Sequence, residues 1–346
     1  MKKIFYKDLY NFSKIILNKV NLDDFSNEAV SEGICLASLR GVDSHGIKLL
    51  PHYVRCALNG QKNPKPNFKF NKKFPAFGLL DADNAFGLAA GFKAIDLCIE
   101  ICQQMGVGVV SVNNSSHPGA MASITLKASK KGFIGIGLTN ANSLLISYNG
   151  NRSFFGTNPI SMTAPRVEED PYCLDMATSI IPWNKLMNLQ RYNKNIDENV
   201  AADKDGNMTI NSNEASFLYP VGGYKGYGLA SMVEILCSIL GGMPFGRNIV
   251  GMFNDKLDKP RHISQFYIVL RTDIFGSEDD FKIHLQNLTD QVRNEPSKEN
   301  KKVLLPNDPE IEISKKRAKN GIPLDEHLYN ELLELSDKYN VKLVII

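Results

Sequence analysis

No Gly-x-Gly-x-x-Gly follows a strand-like stretch in this 346-residue sequence; Gly106-Val107-Gly108 and Gly135-Ile136-Gly137 both lack the third glycine. That absence excludes a standard dinucleotide fingerprint. The chain also has no Walker phosphate loop, no HExxH zinc motif and no GxSxG nucleophile elbow. No apolar run approaches the roughly 18 residues of a membrane span. The basic start, Met1-Lys2-Lys3, meets Asp8 before any apolar segment of a leader could form. Cysteine is sparse and never spaced as CxxC. Cys98 and Cys102 share a helical face, but no second Cys/His pair follows at a zinc-like distance. The expectation is therefore buried free thiols at Cys35, Cys56, Cys98, Cys102, Cys173 and Cys237, a reducing cytoplasm, and no metal. An excess of one charge is lacking as well: 40 Lys+Arg stand against 37 Asp+Glu, a net +3. The pairs Lys72-Lys73 and Lys301-Lys302 are isolated, which suits solvated faces and argues against nucleic acid as a partner. With 43% hydrophobic and 22% charged residues the chain has a globular composition, long enough for about two domains.

Periodicity organises what is present. Leu9, Phe12, Ile15, Ile16 and Val20 follow a 3.6-residue period, and a second apolar-faced helix is predicted from Asn27 to Leu39. Asn59 to Pro75 reads as a linker. Beyond it the spacing predicts helix Gly91 to Gln104, strand Val107 to Val112, helix Ala120 to Lys130 and strand Phe133 to Leu138. Later strands are expected at Tyr172 to Met176 and Gln265 to Leu270. A polar stretch from Ser297 leads to a last helix, Asp325 to Lys338, and an apolar end, Val341 to Ile346. The arrangement is a helical part made from both chain ends, residues 1–72 and 297–346, beside a central α/β domain over 73–296.

Four polar clusters interrupt this pattern. Arg40-Gly41-Val42-Asp43-Ser44-His45-Gly46 puts a proton-transfer group on a backbone that can approach a ligand closely. Equally, Gly41 could simply end the helix, with Ser44 and His45 satisfying the turn. Asn113-Asn114-Ser115-Ser116-His117-Pro118-Gly119 stands at a strand's C-terminal end, the usual ligand position of α/β sheets, or is a surface loop of turn formers. Gly156-Thr157-Asn158-Pro159 is followed by a strand ending Leu174-Asp175-Met176-Ala177-Thr178-Ser179. Asp175 there could orient a histidine, bind ribose hydroxyls, or only cap the next element. Gly222-Gly223-Tyr224-Lys225-Gly226-Tyr227-Gly228 opens a helix carrying Leu229, Met232, Val233, Leu236 and Leu240 on one face. Four glycines and a lysine at a helix N-terminus favour an anion, although packing alone also asks for glycine.

Taken together, these clusters resemble the malate/L-lactate dehydrogenase family. The matching stretches are RGVDSHGI (Arg40–Ile47), SSHPGA (Ser115–Ala120), GFIGIGLTN (Gly132–Asn140), GTNPI (Gly156–Ile160), LDMATS (Leu174–Ser179), GGYKGYGL (Gly222–Leu229) and MPFGR (Met243–Arg247). They span most of the chain, and through MPFGR its ureidoglycolate dehydrogenase-like members resemble it most. The resemblance implies a non-Rossmann, mixed-sheet α/β domain that binds NAD or NADP, a homodimer, and a small 2-hydroxy or 2-oxo acid as substrate. It implies His45 or His117 as proton donor, with Ser44 and Asp175 holding the network. It also implies Lys225, Gly223, Gly226, Asp175, Met176 and Ala177 as cofactor contacts, and Arg40, Lys48, Thr157 and Asn158 as substrate contacts. Many members place an arginine four residues after the first histidine; Leu49 stands there, and Lys48 offers a point charge without a bidentate fork. The family's Pro-Gly-Glu-like cofactor turn reads Pro306-Asn307-Asp308, and Asn can adopt the left-handed backbone that Gly would supply.

The chemistry so implied is hydride transfer to a carbonyl carbon coupled to proton delivery at its oxygen, a role that suits a histidine near neutrality. Rival readings are a cyclic-imine reductase or a ureidoglycolate dehydrogenase within the family, a Ser44/His45/Asp175 hydrolase, and a nucleotide-binding protein without activity. The hydrolase is disfavoured because adjacent Ser and His seldom face each other on a turn.

Overall fold

A computed structural model describes residues 2–253, 256–299 and 301–346. The N-terminal helices are α1 (Tyr6–Lys19), α2 (Asp24–Leu39) and α3 (Leu50–Leu58). The middle of the chain supplies α4 (Gly87–Met105), α5 (Ala122–Ser129), α6 (Trp183–Arg191), α7 (Tyr224–Glu234) and α8 (Glu278–Arg293). Helices α9 (Asp308–Asn320) and α10 (Glu326–Tyr339) follow. Capping sets the starts that periodicity left open. The Asp23 side chain accepts the Ser26 N–H and begins α2 three residues before the expected Asn27, and Asp325 accepts the Leu328 N–H ahead of α10.

Seven strands form the main sheet: β1 (Lys69–Phe74), β2 (Phe77–Asp81), β3 (Val107–Ser115), β4 (Ile134–Thr139), β5 (Ile160–Ala164), β6 (Tyr172–Met176) and β7 (Ile263–Leu270). Their order is β1-β2-β3-β7-β4-β5-β6. Only β2 and β3 run parallel as neighbours, and every other pairing is antiparallel. The sheet is therefore mixed, unlike the all-parallel sheet of a doubly wound fold. Strand β6 spans the residues expected of it, whereas β3 runs three residues beyond the expected Val112. That extension reaches toward His117, because Ile263 on β7 pairs with Ser115 past a register shift. The boundary placed at residue 72 needs correction: β1 begins at Lys69, so that boundary cuts a strand of the sheet. A smaller sheet of five short strands packs on Leu145, Leu186, Ala201, Leu218 and Ala230.

The chain ends do meet. Lys2–Ile4 pairs antiparallel with Ile322–Leu324, and the Ile346 N–H donates to the Lys3 carbonyl at 2.9 Å. The apolar end 341–346 forms neither helix nor strand, although Val341 is buried. One core joins Ile4, Leu9 and Phe12 to Leu332 near the C-terminus and to Leu88 and Ile95 of α4. Ile15, counted on the apolar face of α1, is instead 47% exposed. On α7 only Val233 of the expected apolar face is fully buried. Leu229 and Met232 are exposed, as are Ile235, Ile239 and Leu240 along the π-helical turn (Ile235–Ile239) and just past it.

Candidate active site

The first histidine is delivered by the end of α2. Gly41, at φ +84°, closes the helix: its N–H donates to Ser38 and the Val42 N–H donates to Ala37, the paired bonds of a Schellman ending. The capping reading of Gly41 holds, and the cap turns the chain so that Val42, Ser44 and His45 line a common cavity. Ser44 Oγ lies 2.8 Å from His45 Nδ1, so these neighbours do face each other on their short 3₁₀ turn, Asp43–His45. Asn184, beside the start of α6, donates to the Ser44 carbonyl at 2.7 Å and fixes the turn from across the cavity.

The second histidine is held by the start of α4. Ser116 Oγ accepts the Gly87 N–H and donates to the Ala85 carbonyl, each at 3.0 Å. A Cβ on Gly87 would lie 2.1 Å from the Ser116 carbonyl oxygen, so only glycine lets the helix approach this loop. Gln265, fully buried on β7, donates to the Gly87 carbonyl and to Ser115 Oγ. The His117 ring then stacks near His45, with centroids 5.3 Å apart and planes at 25°. Its Nδ1 accepts the Gly119 N–H at 3.3 Å and contacts the Tyr53 hydroxyl at 3.4 Å. An Nδ1 that accepts a backbone N–H carries no proton, so neutral His117 is protonated on Nε2.

Both histidines line one cavity of about 190 Å³, together with Asp175, Met176, Ala177 and Thr157. Asp175 does not touch either imidazole in the hydrogen bonds described; its carboxylate accepts the Ala122 N–H at 2.8 Å, at the start of α5. The element it meets is therefore an earlier one in the chain, not the next one that the capping reading named, and its carboxylate also lines the cavity. Asp175 as a residue is exposed, but its carboxyl loses hydration against the cavity wall, which raises it to about 6 against smaller opposing effects of the Ala122 N–H and Arg40. The imidazoles move the other way. Burial, then Lys48, lowers His45 to about 4, and burial followed by His45, Arg261, Lys62 and His52 holds His117 well below its ordinary value. His52, behind them on α3, is lowered to about 3 by burial and by Lys62, Arg55 and Arg261.

These shifts fix the pH dependence of stability. A histidine held neutral in the fold binds its proton more readily in the unfolded chain. Its stabilisation is complete above about 6.5 and is lost as pH falls toward 4. Asp175 acts oppositely between about 4 and 6, but it is one group against three histidines. The melting temperature is therefore expected to fall by several degrees between pH 6.5 and 4.5, read by calorimetry. A flat or rising profile over that window contradicts the buried neutral histidines.

The remaining expected site residues lie elsewhere. Arg40 is buried and donates to Asn307 Oδ1 at 2.7 Å, and Asn307 donates to the Pro171 carbonyl. Asn307 takes the expected left-handed backbone, φ +85°, while Asp308 accepts from Arg293. None of Arg40, Pro306, Asn307 and Asp308 lines the cavity. Lys48 donates to Asn188 Oδ1 at 2.8 Å, again off the cavity wall. Asn158 is buried under it, donating to Glu234 and the Ala230 carbonyl and accepting the Ala141 N–H. Gly223, Lys225 and Gly226 open α7 outside the cavity. Lys225 is exposed, and a Cβ on Gly226 would meet the Val221 carbonyl at 2.1 Å.

Sequence reasoning missed the one Arg or Lys among the described lining residues. Arg261 is 2% exposed; its Nε donates to the Val250 carbonyl and an Nη donates to Asn142 Oδ1. It precedes β7, and only the insertion of β7 beside β3 brings it next to the His117 loop. Tyr53 and Trp183 also escaped notice; neither lies in a motif.

A family model described as malate/L-lactate dehydrogenase matches residues 4–333. Malate dehydrogenase of Pyrococcus abyssi is 31% identical, with 97% of this chain and 94% of that protein covered. Ureidoglycolate dehydrogenase (NAD(+)) of Escherichia coli is 31% identical, over 88% of this chain and 87% of that one. The crystal structure of malate dehydrogenase from Entamoeba histolytica superposes with a TM-score of 0.94 at 29% identity, covering 99% of each chain.

Proposed function

The chain belongs to the malate/L-lactate dehydrogenase family, and from that premise we propose that it interconverts a small 2-hydroxy acid and its 2-oxo acid with NAD or NADP. The observation that carries this reading is the cavity itself: two stacked imidazoles held neutral, beside a single lining guanidinium. The residues present fit a nicotinamide ring. Met121, Leu144, Pro159 and Met176 offer apolar wall, and the Asn142 amide lies on the same cavity for a carboxamide. When bound, the cofactor gives or takes the hydride.

The chain's own residues do the rest. Arg261 holds the substrate carboxylate, since its planar fork matches two carboxylate oxygens. In reduction His117, protonated on both nitrogens, gives its Nε2 proton to the C2 oxygen and keeps the Nδ1 proton toward the Tyr53 hydroxyl; in oxidation it takes the C2 hydroxyl proton back at Nε2. His45, steadied by Ser44, packs against it and orients the substrate. Asp175, Met176 and Ala177 flank the ring site, and Thr157 borders the substrate. Lys225 with Gly223 and Gly226, at the N-terminus of α7, serves the cofactor phosphates.

We also read the exposed apolar face of α7 and its extension (Leu229, Met232, Ile235, Ile239 and Leu240) as covered by a second copy of the chain. Light scattering is expected to give a dimer mass at micromolar concentration, and a monomer mass contradicts it. The six thiols, all buried and free, suit a cytoplasmic setting. Substrate choice is tested by a panel including the oxo acids of malate, lactate and sulfolactate, ureidoglycolate, and a cyclic imine. Each is run with both nicotinamide cofactors while the absorbance of the reduced form is followed. Turnover that needs both a cofactor and a 2-oxo or 2-hydroxy acid is expected; turnover of the imine alone, or of nothing, sinks the reading.

A further inference from the structure

Behind the cavity lies a lysine with no obvious structural reason to be there. Lys62 is 1% exposed, and its Nζ has no hydrogen-bond partner among the described residues. An unpaired cation so placed costs stability, because burial strips its hydration and nothing nearby replaces it. What it does face is aromatic. Nζ sits 3.9 Å from the centroid of the Tyr53 ring and 5.1 Å from that of Phe86. The Phe86 ring meets the Tyr53 ring edge-on, centroids 5.6 Å apart, so Tyr53 is fixed between them. The other end of Tyr53 is the hydroxyl that reaches His117 Nδ1.

We propose that Lys62 is a positioning residue for His117, acting through Tyr53, that holds the imidazole neutral with its proton on Nε2 until an anionic substrate arrives. Two effects of the same charge do this. A cation over the ring face draws electron density from the phenol and makes its O–H a stronger donor to Nδ1. The charge also opposes a second positive charge on the imidazole. Among the described residues, the groups that bear on His117 are His45 from the 3₁₀ turn, His52 and Tyr53 from α3, Arg261 ahead of β7, and Lys62. All the ionisable ones among them add positive charge or none, so His117 stays neutral in the free protein. A carboxylate entering beside Arg261 offsets that field and eases the second protonation, at Nδ1, that makes His117 a proton donor for reduction. Burial lowers Lys62 itself to about 8, which leaves it largely charged near neutrality.

The proposal rests on His117 as the proton carrier, so its test includes a readout that does not need turnover. The His117 ring resonances, assigned by their loss in His117→Gln, are titrated by NMR in the wild type, in Lys62→Met and in Lys62→Gln. Both variants remove the charge, and the second keeps a polar head should the first pack poorly. Titration is expected to move up by about one pH unit in the variants, the scale set by one nearby charge. The acid limb of kcat/KM for hydroxy-acid oxidation is expected to move with it. An unchanged His117 titration in folded variants overturns the proposal. If the titration moves while His117→Gln keeps full activity, the field of Lys62 stands and the reading of His117 as proton carrier is the part that fails.

Discussion

Replacing His117 by alanine is expected to lower kcat for 2-oxo acid reduction by roughly 10²–10⁴-fold, the range of general acid–base catalysis. The argument is geometric. Its Nδ1 is occupied by the Gly119 N–H and faced by the Tyr53 hydroxyl, so Nε2 is left for the C2 oxygen. His45 has its Nδ1 against Ser44 Oγ on a turn that Asn184 also braces, a geometry suited to holding substrate. His45→Ala is therefore expected mainly to raise KM for the acid. The two rings are close enough for their titrations to be coupled, so pH profiles report the pair, and the single variants at saturating cofactor separate the roles. Loss of kcat in His45→Ala alone would reverse the assignment while keeping the site. Near-normal kcat in both would place the chemistry elsewhere.

Local signals in the sequence and long-range ones differed in what they revealed. Gly41, Asp23 and Asp325 act within a few residues of themselves, so helix ends could be read with small corrections. Asn307 kept its left-handed turn for the same local reason. The polar clusters around His45, His117 and Asp175 marked three walls of one cavity, because loops at strand and helix ends converge there. Arg40 and Asn158 sit in equally suggestive motifs, yet each spends its hydrogen bonds inside the fold, on Asn307 and on Glu234. Whether a polar motif residue faces a ligand or a neighbour depends on partners 76 or 267 residues away, which no spacing rule contains. The same holds for Lys62, a charged residue in a linker-like stretch that the fold buries against Tyr53.

Arg261 is where that long-range information changes the chemistry, and Arg261→Met is expected to lower kcat/KM for the oxo acid by roughly 10²–10³-fold. Truncating one partner of a desolvated, hydrogen-bonded charge pair costs several kcal/mol, which is that range. Most of the loss should appear in KM, since a carboxylate is held alike in the ground and transition states. The alternative anchor is Lys48, one residue before the position where a family arginine is expected and Leu49 is found, and Leu49 is buried. Lys48 reaches Asn188 and not the cavity, so Lys48→Met is expected to leave KM within a few-fold. Arg261 also ties Asn142 to the Val250 carbonyl, so a damaged wall must be told apart from a lost anchor. Cofactor affinity makes that distinction: it is expected to stay near the wild-type value in Arg261→Met if the wall survives. Arg261→Lys, which keeps the charge but not the fork, should recover part of the affinity for acid. A large KM effect in Lys48→Met together with a small one in Arg261→Met would move the anchor to Lys48.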